Sequence, residues 1–187
     1  MASVGRIYSI TIITKFMDTD SEIKWYILYT MPQHEKKVAT LFQKKGWDYY
    51  LPLVKRKRQW SDRVKIVEFP LFPGYIFTHI NWFTQRVPIL EFPGALQYVR
   101  KEGAPAVMPD EQIENLKLFV VGAQAPETEP DENFPVGQRV RVNFGVLKNV
   151  EGVVSGHKSK KRIYIRLPLI NQMVSTEIDV MDLERLE

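Results

Sequence analysis

The sequence contains no cysteine among its 187 residues, and its three histidines, His34, His79 and His157, are isolated from one another. The absence of cysteine excludes disulfide bonds, a thiol nucleophile and any cysteine-ligated metal. The sequence also lacks a phosphate-binding glycine loop, a triad-like spacing and an apolar run of about 18 residues. We therefore expect a protein that is not an enzyme, needs no cofactor or metal and does not cross a membrane.

Charge is distributed unevenly along the chain. Residues 22–122 carry 15 basic and 10 acidic side chains, and residues 136–187 carry nine basic and six acidic side chains. Between them, residues 123–135 contain four acidic side chains, three prolines and no basic side chain. Such a segment buries too little apolar surface to offset its ordering entropy, which predicts an acidic linker rather than a long surface loop within one domain. We expect two basic domains, preceded by a flexible tail over residues 1–21.

The first basic block has the pattern of a ferredoxin-like α+β domain. Its predicted elements follow the order β-α-β-β-α-β-α. Aromatic and β-branched residues predict strands at 25–29, 47–54, 75–80 and 96–100. Helical spacing and end signals predict helices from Pro32 to Gly46, over 81–91 with a break near Pro88, and from Pro109 to Gly122.

A strongly basic stretch, Lys55–Lys65, follows the second predicted strand. It holds six basic side chains and one acidic side chain in 11 positions, and Ser61-Asp62 is a suitable hairpin tip. The stretch therefore predicts a long basic hairpin arm that contacts phosphates, with Trp60 placed to stack on an unpaired base. The alternative is that the charges only keep an exposed strand edge from aggregating.

Phe69–Phe77 is a string of bulky apolar residues punctuated by two prolines and a glycine. A strand with one solvated face alternates apolar and polar residues, and Tyr75-Ile76-Phe77 does not. Either both faces of this strand are covered in the core, or one face is a docking surface for a partner.

Residues 136–187 alternate polar and apolar residues with a period of two. About five short strands separated by Gly145, Gly152 and Gly156 predict a small β-barrel. This patterning also predicts that the barrel does not refold as helices. A basic rim is expected to contact nucleic acid or a protein partner, or else to be a hairpin kept soluble by charge; it comprises His157, Lys158, Lys160, Lys161 and Arg162.

Several of these motifs together resemble the NusG-type transcription elongation factors. The segments that resemble their NGN domain are Trp25–Tyr29, the helix from Pro32, Tyr50–Val54 and Pro70–Phe77, and those that resemble their KOW motif are Val136–Val142 with Gly145, and Glu151–Val154. The arm sequence Val54–Arg63 is similar to the UpxY-type antiterminators of Bacteroides capsular polysaccharide operons. The resemblance covers roughly residues 24–187 and implies a ferredoxin-like NGN domain followed by an SH3-like, five-stranded KOW barrel.

The resemblance implies a cytoplasmic, monomeric antitermination factor that suppresses pausing and termination. Its NGN domain would bind the clamp helices of the largest RNA polymerase subunit through Tyr29, Pro52, Leu71, Phe72, Tyr75 and Phe77. Gln85 and Arg86 stand where the specialised family member RfaH has a His-Thr-Thr stretch that reaches the opposite polymerase lobe. Non-template DNA or nascent RNA would contact Lys36, Lys37, Lys55, Arg56, Lys57, Arg58, Trp60, Arg63 and Lys65.

The KOW barrel would recruit a ribosomal protein, a termination factor or neither of them. A different class of function also fits the patterns: a ribosome-associated or RNA-binding structural protein that acts through the barrel. In that case His157–Arg162 would carry binding, and Pro70–Phe77 would be core alone.

Overall fold

The computed structural model describes residues 22–59, 63–123, 126–130, 137–143, 147–155 and 161–187. The helices are α1 (Glu35–Lys45), α2 (Trp82–Leu90) and α3 (Asp110–Gly122), with short 3-10 helices at Pro168–Ile170 and Val180–Asp182. The strands are β1 (Ile23–Thr30), β2 (Asp48–Tyr50), β3 (Leu53–Gln59), β4 (Val64–Pro70), β5 (Tyr75–Asn81), β6 (Ala95–Tyr98), β7 (Arg100–Lys101), β8 (Ala104–Pro105), β9 (Val107–Met108), β10 (Glu127–Pro130), β11 (Gln138–Val142), β12 (Glu151–Ser155), β13 (Lys161–Leu167), β14 (Gln172–Ile178) and β15 (Leu183–Arg185).

The first unit is built on an antiparallel sheet with the strand order β2-β5-β1-β6. The short strand β9 pairs with the first half of β1, and β6 pairs with its second half. Helix α1 connects β1 to β2, and α2 connects β5 to β6. This order and these connections are those of two interleaved β-α-β units, so the predicted ferredoxin-like arrangement is confirmed.

Both faces of the central strands are buried. On one face, Tyr26 and Leu28 of β1 share a core with Val38 and Phe42 of α1. On the other face, Trp25 and Ile27 share a core with Ile113, Leu116 and Phe119 of α3. Because successive side chains of a strand point to opposite faces, two covered faces account for the consecutive apolar residues at 25–28 in β1 and 75–77 in β5.

Local signals fix the ends of α1, although its start differs from the prediction. The helix begins at Glu35, and Pro32 lies in the turn before it. Gly46 ends the helix at φ 67°, a left-handed conformation that glycine adopts without steric cost, and its N–H donates to the Gln43 carbonyl.

Helix α2 continues through Pro88, so the predicted break is wrong. The Asn81 side chain caps its first turn by accepting hydrogen bonds from the N–H groups of Phe83 and Thr84. Ile89, directly after the proline, is fully buried. Capping and burial offset the single helical hydrogen bond that a proline removes.

No helix in the described part of the chain is long and apolar enough to span a membrane.

Proline does interrupt the second predicted strand. Residues 47–54 form β2 and the start of β3, with Pro52 in the gap between them. The Pro52 carbonyl accepts a hydrogen bond of 2.8 Å from the Leu71 N–H, which fixes the base of the arm formed by β3 and β4. Proline cannot donate to a strand ladder, so it separates the sheet from the arm.

The second unit is one antiparallel sheet with the strand order β10-β14-β13-β12-β11-β15. Five of its strands come from residues 137–187, which agrees with the number predicted from the period of two. The sixth strand, β10, lies within the segment predicted to be a linker, and its Glu127 carboxylate is 2.6 Å from the Arg162 guanidinium. The described residues from 137 onward form strands and two short 3-10 helices, and that this unit does not refold as α-helices stays a prediction.

Candidate functional site

The turn between β4 and β5 is held by a buried carboxylate. Glu35, in the first turn of α1, is 3% exposed, and its Oε1 accepts a hydrogen bond of 2.6 Å from the Gly74 N–H. The Gly74 carbonyl in turn accepts a hydrogen bond of 2.8 Å from the Thr30 N–H. A hydrogen bond to an ionised carboxylate is about twice as strong as one between neutral groups, so this turn is fixed to both α1 and β1.

The same turn lies directly against an aromatic ring. Gly74 has φ +85°, and a Cβ placed on it would lie 3.0 Å from Cε2 of Tyr29. A side chain at this position would therefore be strained by its backbone and crowded by the ring. Glycine allows the turn to pack against Tyr29, which sets the position of that ring.

Tyr29 and Tyr75 form an aromatic pair at the end of the sheet beside this turn. They are directly opposite each other in the β1–β5 register, and their ring centroids are 5.3 Å apart. Both side chains are half-buried, and burial, followed by the neighbouring Tyr29, raises the pKa of Tyr75. The pair presents ring surface that a partner can cover without unfolding the core.

The other four residues predicted to dock on polymerase lie in the interior. Leu71, Phe72 and Phe77 are at most 2% exposed, and Pro52 is buried. Phe72 packs edge-to-face on Phe77 with centroids 6.1 Å apart. In this conformation their apolar character is explained by core packing, so the accessible part of the predicted surface consists of Tyr29 and Tyr75.

Among the described residues β3 and β4 pair only with each other, so the basic arm is a separate two-stranded sheet. Their register places Lys55 and Lys57 on one face with Val64 and Ile66. Exposed cations also occupy the opposite face, where the register aligns Arg56, Arg58 and Lys65. Arg63 is exposed as well, whereas Trp60 and the predicted tip at Ser61-Asp62 lie outside the described residues.

Helix α1 contributes one lysine to the arm itself. Lys36 Nζ donates a hydrogen bond of 2.7 Å to the Glu68 carbonyl of β4, so it ties α1 to the arm. Lys37 is exposed on the same helix. The structure therefore brings Lys36 to the basic arm, as a hydrogen-bond donor to its backbone.

The two residues proposed for the opposite polymerase lobe are engaged within α2. Gln85 Oε1 accepts a hydrogen bond of 2.7 Å from the Asn81 N–H, which completes a reciprocal cap with the Asn81 side chain. The Arg86 guanidinium lies 5.4 Å from the centroid of the Trp82 ring, within the range of a cation–π contact. Both side chains are half-buried.

The predicted basic rim of the second unit is only partly visible. His157, Lys158 and Lys160 lie outside the described residues, and Lys161 begins β13. The Arg162 guanidinium contacts Glu127. Across the residues that the structure describes, no cluster of histidine and carboxylate side chains is arranged to hold a metal ion.

Sequence reasoning missed Glu35 and Gly74 as the residues that hold the turn. Glu35 lies among lysines near the start of an amphipathic helix, and nothing in its local pattern distinguishes it from a solvated charge. Its burial depends on the turn between β4 and β5, 39 residues away in the chain. Only the tertiary arrangement brings these two groups together.

Comparison with known proteins connects this arrangement to one family. The family described as "Transcription termination factor nusG" matches residues 23–117, which include the sheet, the arm and most of α3. A transcription termination/antitermination protein NusG from Borreliella burgdorferi is 22% identical over 180 residues, covering 87% of this chain and 98% of the relative. The NusG of Chlamydia trachomatis is 26% identical over 177 residues, covering 86% of this chain and 91% of the relative.

A solved structure described as "Domain interaction in Thermotoga maritima NusG" has a similar fold. It aligns with a TM-score of 0.51 at 19% identity, covering 89% of this chain and 98% of the other. Because the family match spans just over half of the chain and includes the sheet that carries Tyr29 and Tyr75, this chain belongs to the NusG family.

Proposed function

We propose that this chain is a non-catalytic transcription elongation and antitermination factor that binds RNA polymerase through its first unit. The observation that carries the proposal is the Tyr29–Tyr75 pair, which leaves aromatic ring surface accessible beside the buried Leu71, Phe72 and Phe77, in a chain of the NusG family. The relatives named as transcription termination/antitermination proteins support the general activity.

The proposed contact uses a surface that is already organised. The Glu35–Gly74 hydrogen bond fixes the turn, and the turn packs against Tyr29. A partner that covers the two rings therefore spends little free energy on ordering them, which favours affinity. The clamp helices of the largest polymerase subunit are the proposed partner, and Gln85 and Arg86 the proposed second contact at the opposite lobe.

The proposed domain limits and the proposed subclass of factor are based on the sequence motifs. We propose an NGN domain over residues 22–122, an acidic linker over 123–135 within which residues 127–130 form β10, and an SH3-like KOW barrel over 136–187. The arm at 54–63 supports a specialised, UpxY-type factor that acts at capsular polysaccharide-type operons. The arm would follow non-template DNA or nascent RNA through its exposed cations.

The test is transcription by the purified cognate RNA polymerase on a template with a pause site and a terminator. The wild-type protein should shorten pauses and increase read-through, and Tyr75→Ala should lose both effects. Tyr75→Phe should retain them, because the ring surface rather than the hydroxyl makes the contact. Tyr164→Ala, which truncates a half-buried tyrosine of the second unit, serves as the matched control.

Polymerase binding and thermal unfolding of each variant are measured in parallel. Loss of binding by Tyr75→Ala with a folded first unit supports the proposal. Normal binding and normal read-through by the folded variant would refute the role of the aromatic pair.

A further inference from the structure

The strand β10 is attached to the second sheet by few interactions. It pairs with only four of the seven residues of β14, Gln172–Ser175. Its own sequence, Glu-Thr-Glu-Pro, has no large apolar side chain, and in the described part of the chain it contributes no residue to the buried core clusters. Segments with few buried apolar contacts open locally while the rest of the fold stays intact. We therefore expect β10 to open more readily than the strands that carry the core.

One ion pair connects β10 to the strand beyond its neighbour. Glu127 Oε2 accepts a hydrogen bond of 2.6 Å from Arg162 Nη2 of β13, and β14 lies between these two strands. The Arg162 side chain is 30% exposed and the Glu127 side chain 57% exposed. Ser175, which is opposite Glu127 in the β10–β14 register, is only 1% exposed. The paired β10 therefore lies beside a position of β14 that is closed to water.

Arg162 has a second carboxylate within reach. Glu177 of β14 is directly opposite Arg162 in the β13–β14 register. Side chains at such positions have Cβ atoms about 4.5–5.5 Å apart, which is close enough for an ion pair. Because Glu177 is two residues from Ser175, it lies on the same face of the sheet as Glu127. Two carboxylates on different strands thus compete for one guanidinium, and Arg162 keeps a partner when β10 is released.

We propose that β10 is a reversible cover of the β14 edge, controlled by Arg162, which pairs with Glu127 in the covered state and with Glu177 in the open state. In the covered state, the backbone of Gln172–Ser175 is paired with β10. In the open state, the same backbone becomes an unpaired sheet edge, which can accept another strand. The inference concerns the second unit, so it does not depend on the proposed polymerase contact.

The test is amide hydrogen exchange of the full chain, followed residue by residue by NMR. In the wild type, the most protected amide of Glu127–Glu129 should exchange faster than the amides of β13. Glu127→Lys places a cation beside Arg162, so it should speed exchange in β10 about tenfold and leave β13 unchanged. Glu102→Lys, the same change at an exposed position of the first unit, should leave exchange in both strands unchanged.

A second variant tests the competition between the two carboxylates. Glu177→Gln removes the partner of Arg162 in the open state, so it should slow exchange in β10 by about threefold. Unchanged exchange in Glu127→Lys, or a rise that is equal in β10 and β13, would overturn the reversible cover, because β10 would then open only with the whole unit. Unchanged or faster exchange in Glu177→Gln would overturn the control by Arg162.

Discussion

Two consecutive segments of the chain, the arm at 53–70 and the string at 71–77, make opposite use of their side chains. The arm carries exposed charges on both faces, and in the part of the chain that the structure describes it pairs with no other strand. The string is apolar and lies mostly in the core; Tyr75 is partly accessible beside Tyr29, and Pro73 is exposed in the turn between β4 and β5. The comparison shows that an apolar run without alternation indicates two covered faces, and that ring surface stays accessible at Tyr75, where the covering elements end.

The largest expected effect is a difference in unfolding free energy between a truncation in the core and a truncation in the arm. Phe77→Ala removes a fully buried ring that packs on Phe72, and it should lower the free energy of unfolding by about 3–5 kcal/mol. Ile66→Ala removes an aliphatic side chain that is 68% exposed on the arm, and it should change that free energy by less than about 0.5 kcal/mol. Urea denaturation measures both. Similar losses for the two variants would contradict the distinction between the segments.

A smaller effect is expected at the turn that ends the string. Glu35→Gln replaces an ionised acceptor of the Gly74 N–H with a neutral one, and it should destabilise the first unit by about 1–3 kcal/mol. Glu111→Gln, in the first turn of α3 and exposed, is the matched control and should cost less than about 1 kcal/mol. Denaturant midpoints followed by tryptophan fluorescence give the comparison. Equal costs would mean that the buried hydrogen bond contributes no more than a helix-end charge.

The arm should show an effect on binding with little effect on stability. Replacing Lys55, Arg56 and Lys57 together by glutamine should reduce the slope of log affinity against log salt by up to about 2.7 for duplex DNA and about 2.1 for single-stranded DNA, because each neutralised phosphate releases counterions. The unfolding midpoint should not change. The matched variant replaces three exposed lysines elsewhere, Lys44, Lys45 and Lys101. An unchanged slope in the arm variant would assign its charges to solubility alone.

Much of the fold follows from local sequence signals. Gly46 ends α1, Pro52 separates β2 from β3, and the period of two after residue 137 gives five strands. The break predicted near Pro88 is wrong because the cap at Asn81 and the burial of Ile89 stabilise the helix more than one lost hydrogen bond destabilises it. The strand β10 could not be predicted from its proline and acidic residues. It is held by backbone pairing with β14 and by the Arg162–Glu127 contact, and both partners lie far away in the sequence.

The candidate site was predictable only in part. Aromatic and basic residue types identified the two relevant segments, but the sequence does not distinguish the accessible Tyr75 from the buried Phe77, two positions away on the same face of β5. Which members of an apolar string remain accessible depends on where the covering helix and turn stop.

The strand β10 has a further consequence for how far apart two bound partners can be. Because α3 ends at Gly122 and β10 begins at Glu127, the covalent connection between α3 and the second sheet spans at most about 17 Å. A linker over all of residues 123–135 would reach roughly 45 Å. As long as β10 stays paired, the short connection would hold a partner of one unit close to a partner of the other. Their effective concentration relative to each other would be in the millimolar range, as expected for short tethers. The pairing of four residues therefore limits the distance between any molecules that the two units bind.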